Sequence, residues 1–206
     1  MYLPLQFNQQ DRAHTLALMR AHNFATLITT DEAGQPFATH LPLIVTERAE
    51  TPSGIVLEGH VAKPNPHWKL WANNPTALAI FMGPNAYMSP RVYPDLARVP
   101  TWNYLAVHAS GTVTLLEGEA KKDALLKGLI ALHEPEYAAQ WRGLGEAFQH
   151  KMLASIVAFE ITVTKLESKF KLNQHRKEAH EKMHALYAQG TPDERALAAW
   201  MKKLGM

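Results

Sequence analysis

The chain has 206 residues, 47% of them hydrophobic, enough for one domain with an appendage or two small domains around a proper apolar core. It has no cysteine, which excludes disulfides, thiolate nucleophiles and cysteine metal sites. A net charge of +2, with basic residues interleaved among acids, offers no extended field to a phosphate backbone, and no apolar run nears the roughly 20 residues of a membrane span, so a soluble, unexported, cytoplasmic protein is expected.

In chain order, Asn8 is predicted to cap a helix carrying Ala13, Leu16, Ala17 and Met19 near one face, with Asn23 as its stop. The period then changes. Phe24 to Thr30 is apolar and β-branched, Gly34 and Pro36 punctuate a turn, and Phe37 to Val45 resumes as a strand, which together predict a hairpin. Pro42 within the second strand marks an edge, a bulge or a place where something other than a strand takes the ladder position, because proline has no N–H for the ladder. Gly54 to Ala62 predicts a third strand. Asn65-Pro66 starts a short helix to Trp71, with asparagine as cap and proline at the first turn.

Thr76 to Met82 predicts a fourth strand and Tyr104 to Leu116 a fifth, with Gly111 as a bulge. Between them, the segment Gly83 to Gly111 carries more prolines than a helix tolerates and more aromatic rings than an idle loop needs, so it is expected to hold something flat or apolar. Helical periodicity returns from Glu119 through Leu132, breaks at Glu134-Pro135 and resumes from Tyr137 to about Met152. Ser155 to Lys169 predicts a last strand. Beyond Lys171 the chain reads as charged helices, with Thr191 and Glu194 as a capping box. Six strands, a helical insertion and a helical tail describe an α+β protein built on a small antiparallel barrel, because the turn after the first strand is too short for a crossover helix.

Two textual motifs lose to plainer readings. His180-Glu181-Lys182-Met183-His184 has the H-E-x-x-H zinc form, but Arg176, Lys177 and Glu178 before it predict a solvated helix face with no clear third ligand. A helix-turn-helix ending in Asp193 to Leu204 would present Asp193 and Glu194 to phosphates, which repel them. Ser89, Ser110 and Ser155 lack a nucleophile elbow, and no glycine-rich strand-to-helix turn offers dinucleotide binding.

What remains is a set of groups at strand ends and adjoining loops: Thr39, His40, His60, Lys63, Asn65, Trp102, Asn103, Tyr104 and Lys171. Together they supply aromatic walls, amide and imidazole edges, and cations, which is what a planar phosphorylated cofactor needs. The plainer alternative is that Trp102 and Tyr104 are core.

The same residues carry a resemblance. Met1-Tyr2 with Pro4 and Phe7, His40-Leu41-Pro42-Leu43, Gly59-His60-Val61-Ala62 with Asn65-Pro66, Ala86-Tyr87-Met88-Ser89-Pro90 with Tyr93, and Val99-Pro100-Thr101-Trp102-Asn103-Tyr104 followed by Val107-His108 resemble the PaiB-type FMN-binding negative transcriptional regulators, in order and to about Arg176. The resemblance implies a Greek-key split β-barrel like that of the pyridoxamine-phosphate-oxidase-like flavoproteins, as a homodimer with FMN between subunits. It implies a barrel domain over residues 1–172, with a helical insertion at about 119–152, and a helical extension over 173–206. By that likeness Thr39, His40, Leu41, His60, Lys63 and Asn65 line the ring and phosphate of one FMN, Trp102, Asn103 and Tyr104 come from the partner subunit, and Lys171 opens the closing motif. Where the family reads Lys-Leu-Ser-Gln-Asn-Arg, this chain has Asn173 and His175, and Asn85, Arg91 and Val92 stand in place of His, Ser and Trp. DNA binding is implied by resemblance alone. An FMN-dependent oxidoreductase, NAD(P)H-linked reductase or oxidase, is the alternative, since one fold hosts many functions; a cofactor-free DNA-binding module is a third.

Overall fold

The structure, a computed structural model, describes residues 1–95 and 97–206. After a single turn at Leu5–Phe7, helix α1 spans Arg12–Ala21. Its cap is Asp11 rather than the expected Asn8: the Asp11 carboxylate accepts from the backbone N–H of Ala13 at 2.7 Å and of His14 at 3.3 Å. A carboxylate there satisfies orphan donors and also meets the positive end of the helix.

Strands β1 (Phe24–Thr30), β2 (Pro36–Pro42), β3 (Ile44–Glu47) and β4 (Ile55–Ala62) precede the short helix α2 (His67–Leu70). Strands β5 (Thr76–Met88) and β6 (Thr101–Leu115) come next, then helices α3 (Glu119–His133), α4 (Tyr137–Gly143) and α5 (Glu146–Ala154). Strand β7 (Ile156–Lys171) and helices α6 (His180–Ala188) and α7 (Pro192–Lys203) complete the chain. The seven strands form one antiparallel sheet in the order β2-β1-β5-β6-β7-β4-β3.

The expected second strand is thus two strands, and the sheet has seven rather than six. The division falls beside Pro42, where the missing N–H ends the ladder. Its consequence is topological: the two edges of the sheet, β2 and β3, are consecutive in the chain and separated by Leu43 alone. A sheet whose edges are joined by one residue is closed, so this sheet is a barrel. The second helical run is likewise divided, at Leu144-Gly145, into α4 and α5.

Two compact units divide the chain, one of Met1–His22, Phe81–His108 and Glu167–Met206, the other of Asn23–Ile80 and Ala109–Leu166. The second unit holds the barrel corner. Leu43 is fully buried, and its N–H donates to Asn23 O at 2.9 Å. Room for Leu43 comes from Gly59 on β4, where a Cβ would lie 2.7 Å from Leu43 Cδ2 and 3.2 Å from Phe159 Cζ. Helix α3 closes this unit with Leu125 and Leu129 packed with Ala158, while Lys122 Nζ donates to Leu153 O and Ile156 O, tying the end of α5 to the start of β7.

In the first unit, Leu18, Met19, Phe81, Leu105, Phe170 and Tyr187 are buried to under 2% exposure. Trp200 of α7 meets Phe170 edge-on at 5.2 Å. The capping box of α7 forms as expected from sequence: Glu194 N–H donates to Thr191 Oγ1 and Thr191 N–H to Glu194 Oε2.

Two glycines make opposite demands on a test. At Gly111 a Cβ would meet backbone, 2.3 Å from Thr162 O, whereas at Gly59 it meets side-chain ends that can shift. Gly111→Ala is expected to destabilise by about 3 kcal/mol and Gly59→Ala by about 1 kcal/mol, read as the difference in urea midpoints. Equal losses would show that backbone approach at Gly111 does not set the spacing of these strands.

Candidate functional site

Within the second unit, a hydrogen-bonded cluster forms where β2, β4 and the start of α2 meet. Thr39 lies opposite Leu27 and His40 opposite Thr26 in the β1–β2 ladder. Strand alternation sends their side chains to opposite faces. Thr39 Oγ1 accepts from Asn65 Nδ2 at 3.2 Å and lies 2.9 Å from His67 Nδ1. His40 Nδ1 pairs instead with Thr26 Oγ1 at 3.0 Å. Leu41, back on the Thr39 side, is buried and reaches the space above Gly59.

The sequence around Asn65 builds the cluster locally. Asn65 Oδ1 accepts from His67 N–H at 3.0 Å, which turns the chain into α2, and its amide nitrogen is thereby aimed at Thr39. Trp71 at the other end of α2 donates from Nε1 to Thr29 Oγ1 at 3.0 Å, so the helix is pinned at both ends to the hairpin. Lys63 has its backbone fixed, its N–H donating to Ser155 O at 2.8 Å and its carbonyl accepting from Trp68 Nε1 at 3.0 Å. Its ammonium is exposed, with no ion pair among the described residues.

His67 is a residue that sequence reasoning missed. It is fully buried among Phe37 at 5.0 Å and Trp71 at 5.1 Å between ring centroids, and burial holds its imidazole down to about 4. The only signal for it was its place two residues after Asn65. Its Nε2 is buried with no hydrogen-bond partner, as is Nδ1 of His60, whose pKa burial also lowers. Two buried ring nitrogens left open near one loop are unusual, since such groups are nearly always paired.

The other sequence-predicted residues gather in the first unit. Trp102 and Tyr104 point to one face of β6 and Asn103 to the other. Trp102 is 55% exposed, so the core alternative does not hold for it, and its ring meets Tyr87 edge-on at 6.3 Å. Asn103 is fully buried, and its Nδ2 lies 3.1 Å from Tyr187 Oη and 3.2 Å from Met183 Sδ on α6. Lys171 Nζ donates to Thr101 Oγ1 and, at 2.8 Å, to Trp102 O. Lys169 and Lys171 lie 5.4 and 6.0 Å from the Tyr104 ring centroid, within cation–π range. The set read from sequence is therefore two clusters, one in each unit. The His180 to His184 helix turns Met183 and Tyr187 inward, and no group of three or more metal-ligating side chains occurs among the described residues.

Residues 1–165 match the family described as "Putative FMN-binding domain". The chain belongs to this FMN-binding family. The "Protease synthase and sporulation protein PAI 2" of Bacillus subtilis is 33% identical over 183 residues, covering 86% of this chain and 84% of its relative. Among solved structures, the flavocytochrome Anf3 of Azotobacter vinelandii superposes with a TM-score of 0.62 at 16% identity, over 80% of this chain and 69% of that one. The FAD and haem binding protein of Mycobacterium smegmatis gives 0.59 at 18%, over 80% and 73%. These likenesses are of fold, and with the closed seven-stranded sheet they make the architecture the split barrel expected from sequence. No helix among the described residues is long and apolar enough to cross a membrane.

The buried His67 sets a pH dependence. Unfolded, it takes a proton below its ordinary value of 6.5; folded, it resists until about 4. Stability is therefore lost as pH falls from about 6.5 and reaches its floor near 4. His67→Asn is expected to be less stable than the natural chain at pH 7, with the gap narrowing steadily toward pH 4 in urea titrations. A gap independent of pH would show that His67 does not carry this acid sensitivity.

Proposed function

We propose that the chain is a cytoplasmic homodimer that binds FMN and serves as a negative transcriptional regulator. The observation that carries the cofactor's placement is the second-unit cluster: a fixed Thr39–Asn65 pair, an unpaired Lys63 ammonium, and two open ring nitrogens at His60 and His67. These fit a flat, polar-edged, phosphorylated group. Lys63 offers its free charge to the phosphate. Thr39 and Asn65 fix the pocket wall, Leu41 gives it an apolar surface and His60 presents an imidazole edge, while His40 lies on the opposite face of β2. When bound, the flavin supplies two-electron redox chemistry.

The first-unit rings enter from a second copy of the chain. Exposed Trp102, Tyr87 and Met82 are large apolar groups that a partner subunit would cover, with Trp102 and Tyr104 as the wall facing its flavin. Asn103 serves from below, holding β6 to α6, and Lys171 braces the backbone of Trp102. The regulatory role rests on kinship with the PaiB-type proteins, and DNA binding would be read as a salt-dependent shift of a promoter fragment.

FMN is expected to raise the melting temperature of the purified chain, and Lys63→Ala to weaken FMN about tenfold while leaving riboflavin, which lacks the phosphate, nearly unchanged. Equal losses for both would remove Lys63 from the phosphate's ligands.

Trp102→Ala is expected to halve the mass seen by light scattering at micromolar concentration while costing under about 1 kcal/mol of monomer stability, because the ring is more than half exposed. A stable dimer in that variant would exclude Trp102 from the interface.

A further inference from the structure

Within the first unit, a cleft of about 290 Å³ opens between Phe7, Tyr93 and the segment that follows β7. Its walls are aromatic and firmly placed. Phe7 is buried and meets the His175 ring edge-on at 5.7 Å. Tyr93 is fixed through its hydroxyl, which accepts from Asn173 Nδ2 at 2.8 Å. Asn173 is itself buried and holds a left-handed φ of 66°, the one non-glycine residue to do so among those described. Asparagine tolerates that conformation better than most residues, but it persists only where the surroundings demand it.

The charged lining is all of one sign. Among the described residues no aspartate or glutamate lines the cleft, while Arg98, Lys171 and Arg176 do. Arg98 is already neutralised, with Nη2 at 2.8 Å from Asp95 and 3.6 Å from Glu178, and it lies 5.1 Å over the Tyr93 ring. Its Nε nevertheless remains buried without an acceptor. Lys171 has spent two of its three protons on neutral oxygens, and Arg176 has no ion pair among the described residues. Burial, and then Lys169, depress the Lys171 pKa, as expected of a desolvated cation lacking a counter-charge. Two cations with no ion pair among the described residues line the cleft together with two rings, which calls for a flat anion.

We propose that this cleft binds a small planar carboxylate, a single-ring aromatic or heteroaromatic acid, with Arg176 and Lys171 on its oxygens and Phe7 and Tyr93 against its ring. The guanidinium fork matches both oxygens of a carboxylate, and the one remaining Lys171 proton completes the set. A volume just below the roughly 300 Å³ where drug-sized pockets begin suits one ring and its acid group. The cleft lies wholly in the first unit and shares no residue with the second-unit cluster; Lys171 also braces Trp102, the wall proposed for the partner's flavin, so the test varies Arg176.

The test is calorimetric titration of the full chain, with and without FMN, using benzoate, benzyl alcohol and phenyl phosphate. Benzoate is expected to bind and benzyl alcohol not to. Arg176→Gln should weaken benzoate by about tenfold or more, and Arg176→Lys, which keeps charge but loses the fork, by less. FMN affinity should be unchanged in both, with melting temperatures within a few degrees of the natural chain. No binding of benzoate, undiminished binding in Arg176→Gln, or tighter binding of phenyl phosphate than of benzoate would overturn the assignment. If Arg176→Gln lost FMN together with benzoate, the cleft would belong to the flavin's site and this inference would fall while the flavin reading stood. A chain that took benzoate but no flavin would sink the flavin reading and leave the carboxylate site standing.

Discussion

The fold depends on one corner, at Leu43, where the chain passes from one edge of the sheet to the other. Pro42 ends β2 by withholding an N–H, Leu43 turns inward, and Ile44 begins β3 at the opposite edge of the sheet. The fully buried leucine packs over Gly59, where an added Cβ would lie 2.7 Å from its Cδ2 and make that side-chain end shift. Burying one leucine contributes about 2 kcal/mol, modest beside the two exposed edges its corner abolishes. Everything on the second unit's candidate site is referred to this corner. Thr39, His40 and Leu41 are the last residues before it, and His60 is the residue after the glycine that receives it.

From the corner, position propagates through hydrogen bonds rather than through apolar packing. Asn65 has one side chain with two tasks, turning the chain into α2 with its oxygen and holding Thr39 with its nitrogen. Trp71 repeats the connection one turn later on Thr29. A loop pinned in this way holds Lys63 at no further ordering cost in its backbone, which is what preorganisation of a binding loop requires. The open nitrogens of His60 and His67 show where the cluster's own bonding stops.

Most of the strands were legible in the sequence because turn residues and β-branched runs announce them. What was not legible lay where tertiary contact overrules local signals. Gly83-Pro84 reads as the end of a strand, yet β5 continues to Met88, because the gap at Gly83 lets the strand lie 2.7 Å, for a notional Cβ, from Leu18 of α1. Asn8 and Asp11 are both good caps, and only the bridge of Asn8 to Lys169 reserves Asn8 for the sheet. At Gly111, where a bulge was expected, β6 approaches a backbone oxygen of β7 closely enough to leave no room for a Cβ. For the site, residue types and strand ends were readable, but not their division into two clusters, and His67 was passed over because a lone histidine announces nothing until its rings and partners are seen.

The run Trp102-Asn103-Tyr104 shows why a short motif can look like a binding site and also be structural. A strand must give alternate residues to opposite faces. Here the outer pair stays partly exposed, with Tyr104 between two ammonium groups, while the middle residue is sealed beneath α6 against Met183 and Tyr187. The same constraint accounts for the H-E-x-x-H text. Met183 and Tyr187, four residues apart, are the face α6 must bury against Asn103. Ala179, four residues before Met183, extends that face, which leaves His180, Glu181 and His184 on the flanks of the helix for reasons of packing period alone. A change at Asn103 would thus loosen α6 first and the aromatic wall second, because the amide is the hinge pin between a helix and the strand whose other face carries the rings.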